Sequence, residues 1–383
     1  MRKKNIELIY GTPDFILLVS IYLLLGLGLS MLYSASINIS RVLYHDQYFI
    51  FRKQLVGSII GTILILATVN IDYHYYKKFS RVLILISLIL LIIVLFPQFG
   101  RKVSGSRSWI KIKFINFQPS EFAKLSLILY LGTMFSKKRF KAESFFEGYL
   151  PPLIITTIIF FLILLQPDFG SGFLLLGIAG ILFFISGINI KYLLATFFAI
   201  LPFAYLLIFK VGYRRMRILA FLNPWSDPAN KGYHIIQSIK SFKLGGLAGV
   251  GLGKGIQKLY YLPQPHTDFI YSVIGEETGL LGASLFLLFF IIVIYRGVKI
   301  TLNMPDKFGF FVGAGIVVMW GIQVFINIAV TMGLLPVTGL PLPFVSAGGS
   351  SLLVNMTSVG IMLNMSRFSN IPQNKSKVVN VYE

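Results

Sequence analysis

The chain has 383 residues, of which 56% are hydrophobic and 13% charged, with a mean hydropathy of +0.78 and a net charge of +21. A soluble fold carries about a quarter of its residues charged, so the class is an all-α polytopic membrane protein; its long apolar runs lack the alternation of β-barrel strands. The absence of cysteine excludes disulfides, thiolate metal sites and Cys nucleophiles, and the positive charge points to anionic lipid headgroups before nucleic acid.

Met1–Glu7 carries Arg2, Lys3 and Lys4, but the apolar run that follows is span-length and lacks the small-residue site of a cleavable signal. A crossing needs about 20 apolar residues. Ten segments are read as crossings, the second and fifth of them short: 13–34, 54–70, 81–98, 119–136, 150–166, 169–187, 190–210, 269–296, 308–334 and 342–365. The fifth and sixth form a tight hairpin around Gln166-Pro167-Asp168. The one long interruption is 211–268, an extracytoplasmic loop between the seventh and eighth spans, and residues 1–383 form a single domain. An even span count puts both termini on one side. Lys and Arg divide evenly between the two sides, and the short loop with Lys137-Lys138-Arg139 assigns that side to the cytoplasm. The outer face is then unusually basic, which suits headgroup contact or an anionic lipid substrate.

Acids near bilayer depth are costly, at about 2.5–3.5 kcal/mol or more for a charge at a helix centre. In chain order they are Glu121, Asp168, Asp268, Glu276 and Glu277. Glu121 and Lys124 stand at i, i+3 on one helix face behind Gln118-Pro119-Ser120, a helix start with Pro near its first position. An intrahelical ion pair competes there with a substrate contact. Asp168 follows Pro167 at a helix start, where an N-cap role competes. In the long loop, Arg214, Arg215 and Arg217 offer guanidinium forks that suit pyrophosphate or headgroups. Segment 233–243 reads as an interfacial helix, with Ile235, Ile236, Ile239 and Phe242 on one face and Gln237, Lys240, Ser241 and Lys243 on another. The glycines of 245–255 form neither a Walker loop nor a dinucleotide fingerprint, and four dispersed histidines give no zinc site. His266, Thr267 and Asp268 follow two prolines and meet a span, so Asp268 is a candidate general base, with helix capping by Thr267 or Asp268 as the alternative. Glu276 and Glu277 lie two turns deeper and require a polar interior or a basic partner. Pro336–Ser351 is Gly/Pro-rich backbone that membrane depth tolerates only when buried in protein or lining a polar cavity.

Five blocks resemble the SEDS family of polytopic cell-wall proteins, whose members include RodA, FtsW and SpoVE. They are Gly105–Ile110 (GSRSWI), Phe117–Lys124 (FQPSEFAK), Gln166–Gly170 (QPDFG), Asn223–Ser238 together with His266–Gly279 (HTDFIYSVIGEETG), and Gly339–Ser351 (GLPLPFVSAGGSS). They keep the family's order and span most of the chain. The segments RRMRILAFLNPWSDP, Lys258–Pro263 and GLPLPFVSAGGSS are more similar to the division-type FtsW branch than to the elongation-type RodA branch. Gln264-Pro265 and Ala347 depart from the residues common at those positions.

The resemblance implies a peptidoglycan glycosyltransferase that polymerises lipid II in septal wall synthesis, with a class B penicillin-binding protein, a transpeptidase, as partner and the bacterial cytoplasmic membrane as location. It carries the family's essential aspartate onto Asp268. The expected substrate-binding set is Arg107, Trp109, Glu121, Lys124, Asp168, Arg214, Arg217, His266, Ser346 and Ser350, with Arg107, Lys124, Arg214 and Arg217 meeting the pyrophosphate and Glu121 orienting Lys124. The attacking sugar hydroxyl needs a base and the leaving polyprenyl pyrophosphate needs positive charge. That chemistry admits a divalent cation, Mg or Mn, as Lewis acid, and no other cofactor. A flippase for the same lipid, a scaffold that positions the transpeptidase and an elongation-type role remain the alternatives.

Overall fold

The computed structural model describes residues 11–103, 105–112, 115–209, 216, 219–230 and 232–369. Ten long helices among them follow the ten predicted segments: α1 (Phe15–Tyr44), α2 (Phe49–Val69), α3 (His74–Ile93), α4 (Pro119–Phe135), α5 (Leu150–Leu164), α6 (Phe169–Ile185), α7 (Ile190–Phe209) and, beyond the long loop, α10 (Ile270–Leu302), α11 (Lys307–Thr331) and α12 (Gly349–Ser369). The loop itself holds α8 (Tyr233–Gly245) and a single helical turn, α9 (Gln257–Tyr260). Five helical stretches are by length and composition fit to cross a bilayer, namely α1, α2, Phe145–Leu164, α10 and α11. The remaining long helices are shorter or more polar and pack beside them.

Local signals set the helix starts. Asp14 caps α1 by accepting from Leu17 N at 2.9 Å, Asp306 caps α11 by accepting from Gly309 N at 3.0 Å, and Pro119 opens α4 with Glu121 in its first turn. Helix α11 runs through the centre: Val312, Ile316, Met319, Trp320 and Gln323 are buried, and α4, α6 and α10 pack around it. Helix α12 lies along α2, and α1 along α10. The apolar outer faces of α2 and α3, with Ile59, Ile63, Leu85 and Ile89 exposed, suit lipid.

Three expectations change. Between α3 and α4 the chain forms an antiparallel sheet, β1 (Gly100–Val103), β2 (Ser106–Ile112) and β3 (Ile115–Phe117), in the order β1-β2-β3. The short alternation Ile110-Lys111-Ile112-Lys113 is a period-2 signal for it, and Gly105 at φ 85° makes the first turn. The last helix starts at Gly349 rather than 342, because Pro341, Pro343 and left-handed Phe344 keep the preceding segment irregular. Helix α8 does not simply lie with its isoleucines outward. Ile235, Ile236, Ser238 and Ser241 pack against α10 and α11, Gln237 is buried as well, and Ile239 is exposed. Ser238 makes the contact polar: its Oγ is 2.6 Å from Ser272 Oγ and donates to Thr331 O.

Candidate active site

Asp268 sits on the turn that enters α10. The N-cap position falls to Phe269, whose side chain gives no cap hydrogen bond, and the Thr267 hydroxyl turns back onto Gln264, donating to its side-chain Oε1 at 3.0 Å. The N-cap residue of α10 is thus Phe269, one position beyond the two weighed from sequence.

The turn's backbone is held from outside. Three consecutive carbonyls each accept a hydrogen bond from distant parts of the chain: His266 O from Ala347 N at 2.8 Å, Thr267 O from Ser346 Oγ at 2.6 Å, and Asp268 O from Asn327 Nδ2 at 3.0 Å. Asn327 donates its second amide proton to Leu340 O at 2.8 Å. Both its protons thus go to carbonyls, which fixes which way the amide points. One helical turn earlier, Gln323 Nε2 donates to Pro341 O at 3.0 Å. Ser346 Oγ also accepts from Leu342 N at 2.8 Å, and Gln54 Nε2 on α2 donates to Ser346 O at 3.0 Å. Segments 263–269 and 339–348 therefore form one shelf clamped by α2 and α11.

The Asp268 side chain is half-buried on this shelf. Gly339, at φ 79°, abuts it, and a Cβ there would lie 3.8 Å from Asp268 Oδ2. Two non-glycine residues beside it, Gln264 (φ 52°) and Phe344 (φ 64°), occupy the left-handed region, at about 1–3 kcal/mol each. Gly28 on α1 lets the shelf approach: a Cβ there would come within 2.9 Å of Val345 Cα. Burial lowers the pKa of His266 to about 4, so its imidazole is neutral near pH 7 and brings no charge. Its Nδ1 is buried without a hydrogen-bond partner.

The other sequence blocks join this end of the bundle. Asp168 caps α6, accepting from Ser171 N at 3.2 Å, while its second oxygen accepts from Gln118 Nε2 at 2.9 Å and Ser120 Oγ at 3.2 Å. Ser350 Oγ accepts from Gln118 N at 2.9 Å and donates to Asn116 O at 3.1 Å. Arg107 donates from its backbone to Gln166 O at 3.2 Å and from its guanidinium to Leu95 O at 3.2 Å. Trp109, half-buried, pairs with Arg101 across β1 and β2. Lys124 and Glu121 form the intrahelical ion pair at 2.8 Å, with 0% and 2% of their side chains exposed. Arg214 and Arg217 lie outside the described residues.

Glu277 meets the basic partner its depth demands, and Glu276 is held through one oxygen while its Oε2 is buried without a partner. Glu277 pairs with Lys258, accepts from Ser34 Oγ at 2.8 Å and from Gly253 N at 3.0 Å. Glu276 Oε1 accepts from Ile256 N at 2.8 Å and Gln257 N at 3.1 Å. The glycine-rich segment is the strap that presents these amides.

Sequence reading passed over Asn327, Gln323, Gln54 and Lys258. A signal existed for the first two: two amides at i, i+4 inside an apolar span lie on one helix face, where each needs a partner.

A family model described as a cell cycle protein, FtsW/RodA/SpoVE, matches residues 15–371. The chain is 41% identical over 353 residues to a probable peptidoglycan glycosyltransferase FtsW of Geobacter metallireducens, covering 92% of this chain and 94% of that one. It is 42% identical over 358 residues to the stage V sporulation protein E of Bacillus subtilis, covering 94% and 98%. Among solved structures it matches a chain of a peptidoglycan synthase complex that coordinates polymerization and crosslinking, with a TM-score of 0.78 at 28% identity, over 94% of this chain and 99% of that one. The rod shape determining protein RodA of Thermus thermophilus matches with a TM-score of 0.69 at 27% identity, over 96% and 99%.

Proposed function

The chain belongs to the FtsW/RodA/SpoVE family, and from that premise we propose that it is a division-type peptidoglycan glycosyltransferase that polymerises lipid II, with Asp268 as general base. The observation that carries this reading is the clamp on three successive carbonyls around a half-buried carboxylate. Such a clamp holds the Asp268 backbone at a fixed position, and a general base depends on such placement.

In this reading the Asp268 carboxylate takes the proton from a sugar hydroxyl of the acceptor. The freed oxygen attacks the donor's anomeric carbon, the bond to polyprenyl pyrophosphate breaks, and the pyrophosphate leaves with the electron pair. Arg107, Arg214 and Arg217 are the proposed cations for the leaving group. Lys124, closed in its pair with Glu121, reaches that group only if the pair opens. Trp109, His266, Ser346 and Ser350 shape the sugar and peptide side of the site, and Asp168 holds the start of α4 in place. Among the described residues no cluster of three or more His, Asp or Glu side chains could hold a metal ion. A Mg or Mn ion is proposed as a companion of the substrate's pyrophosphate, which it would polarise as a Lewis acid.

The likeness to a chain of a peptidoglycan synthase complex that coordinates polymerization and crosslinking supports a class B penicillin-binding protein as partner, and the short basic loop at Lys137–Arg139 supports cytoplasmic termini with 211–268 outside. The test is polymerisation of lipid II by the purified protein with no other glycosyltransferase present. Wild type should build glycan strands and Asp268→Asn should not. A wild-type preparation that is folded and inert would remove the enzymatic reading, and a fully active Asp268→Asn would remove the base.

A further inference from the structure

Between α8 and α9, residues 246–256 contain five glycines and form no regular element. The strap nevertheless pairs with α10 like an added strand. Val250 N and Gly251 N each donate at 3.0 Å to Glu276 O and Glu277 O, while Leu280 N and Leu281 N donate back to Gly246 O at 2.9 Å and Leu247 O at 3.2 Å. This exchange is possible because α10 breaks at Gly279, whose φ is 67°, and because glycine at 249 lets the two backbones meet: a Cβ there would lie 2.2 Å from Glu277 O. The amides of Gly253, Ile256 and Gln257 find no carbonyl and go to the carboxylates of Glu277 and Glu276 instead.

The side chains point the other way. Leu247 and Leu252 are each 71% exposed, Ile256 57% and Leu281 70%. A water-facing loop would show the reverse, polar side chains outward and backbone open to solvent. Irregular backbone is stable at membrane depth only when protein supplies its hydrogen-bond partners, and that condition is met here. Depth agrees. Arg296 pairs with Asp14 near the far end of α10, and about 20 residues of helix, at ~1.5 Å each, span the hydrocarbon. Counting back from Arg296 reaches the break at Gly279 after 17 residues, ~26 Å of helix, so the strap pairs just inside the outer edge of the hydrocarbon. The exposed apolar side chains also continue the outer face of α10, where Leu285, Leu288 and Ile291 are exposed.

We propose that residues 246–256 are a lipid-binding strap, immersed in the leaflet next to the Asp268 face. Leu247, Leu252, Ile256 and Leu281 contact acyl chains, Lys254 and Tyr260 lie at headgroup level, and Glu276 and Glu277 serve as internal acceptors for strap amides. The strap continues through α9 into the turn that carries Asp268, so its immersion sets the height of that turn above the acyl chains. This goes beyond the proposed reaction and stands whether or not Asp268 is a base.

The chain has no cysteine, so single-cysteine variants accept a nitroxide at one place. Leu247→Cys and Leu252→Cys would be labelled in nanodiscs of phosphatidylcholine and phosphatidylglycerol, with no other protein present. Collision with oxygen, which partitions into lipid, is compared with collision with a water-soluble nickel chelate. Leu285→Cys is the lipid reference and Lys138→Cys the aqueous one. Both strap labels should favour oxygen over nickel, as at 285. A preference for nickel, as at 138, would overturn the proposal. So would low collision rates with both probes, which would mean that protein covers the strap.

Discussion

Asp268 and the pair Glu276–Glu277 stand eight and nine residues apart on one stretch of chain, and they are treated in opposite ways. At Glu276 and Glu277 the side chains hold the strap: both are buried, Glu277 is paired with Lys258, and together they accept from three backbone amides, with Glu276 Oε2 left without a partner. At Asp268 the backbone is consumed. Its carbonyl and the two before it are held by Asn327, Ser346 and Ala347, while the carboxylate stays half-buried. The first two acids tie the strap to α10, whereas the clamp at 268 fixes the backbone that carries the proposed base.

The largest effect that could break this contrast is on turnover. Asp268→Asn keeps the shape and the clamped carbonyl but loses basicity, and it should lower polymerisation about 10²–10⁴-fold with thermal stability unchanged. Rates from single-turnover polymerisation and melting curves check both halves. A variant that melts early and loses activity only in proportion would make Asp268 another structural acid.

The second effect is on stability. Lys258→Met leaves Glu277 buried without its cation, which costs about 3–5 kcal/mol. Activity per folded molecule should stay near wild type, because Lys258 and Glu277 make none of the hydrogen bonds that hold the shelf carbonyls. Thermal unfolding alongside a turnover assay normalised to folded protein separates the two, and loss of specific activity without loss of stability would move Lys258 toward the substrate.

The ten helices were legible because the length of an apolar run reads directly as a crossing, and five motif blocks marked the end of the bundle where chemistry sits. The individual acids were legible too, since a carboxylate in an apolar run is conspicuous. The difference between them was not. It depends on Asn327 meeting Asp268 across 59 positions and Ser346 meeting Thr267 across 79, and no local pattern encodes those contacts. The strands around Trp109 were missed for another reason: their alternation is short and lies between two spans, where the eye follows hydropathy. The face of α8 was misjudged because a helix moment identifies an apolar side but not whether lipid or protein meets it, and small Ser238 and Ser241 turned out to be packing residues.

The third effect concerns His266, the buried imidazole two residues before Asp268. Its folded pKa of about 4 lies below the ordinary 6.5, so the unfolded chain binds the extra proton between those values. Stability should be full above about pH 6.5, fall as the pH drops toward 4 and level off below, by about 3 kcal/mol in all. His266→Gln should remove that component from the melting temperature measured between pH 4 and 7. An unchanged pH profile would mean that His266 is hydrated rather than buried.

A smaller effect sharpens the clamp itself. Asn327→Ala removes the donor to Asp268 O, whereas Gln323→Ala removes a donor to Pro341 O and leaves residue 268 untouched. A misplacement of about 1 Å can cost up to a hundredfold in rate, so Asn327→Ala should lower kcat about tenfold to a hundredfold with little change in KM, and Gln323→Ala markedly less. Equal losses in the two variants, tracking equal losses in melting temperature, would make the amide ladder a general brace.

The smallest effect is the most pointed. Glu276→Gln preserves an acceptor oxygen for Ile256 N and Gln257 N, so the strap keeps its partners, and the change trades charged hydrogen bonds for neutral ones at about 1–2 kcal/mol. Polymerisation should remain close to wild type. Glu276→Ala leaves two buried amides without an acceptor, at about 1–3 kcal/mol each, and should fall well below Gln in melting temperature. If Gln and Ala are equally stable, the amides find water and the strap is wet, against its immersion. If Gln melts like wild type but does not polymerise, Glu276 acts through its charge, and the division of labour between the two sets of acids fails at the residue where it is drawn most sharply.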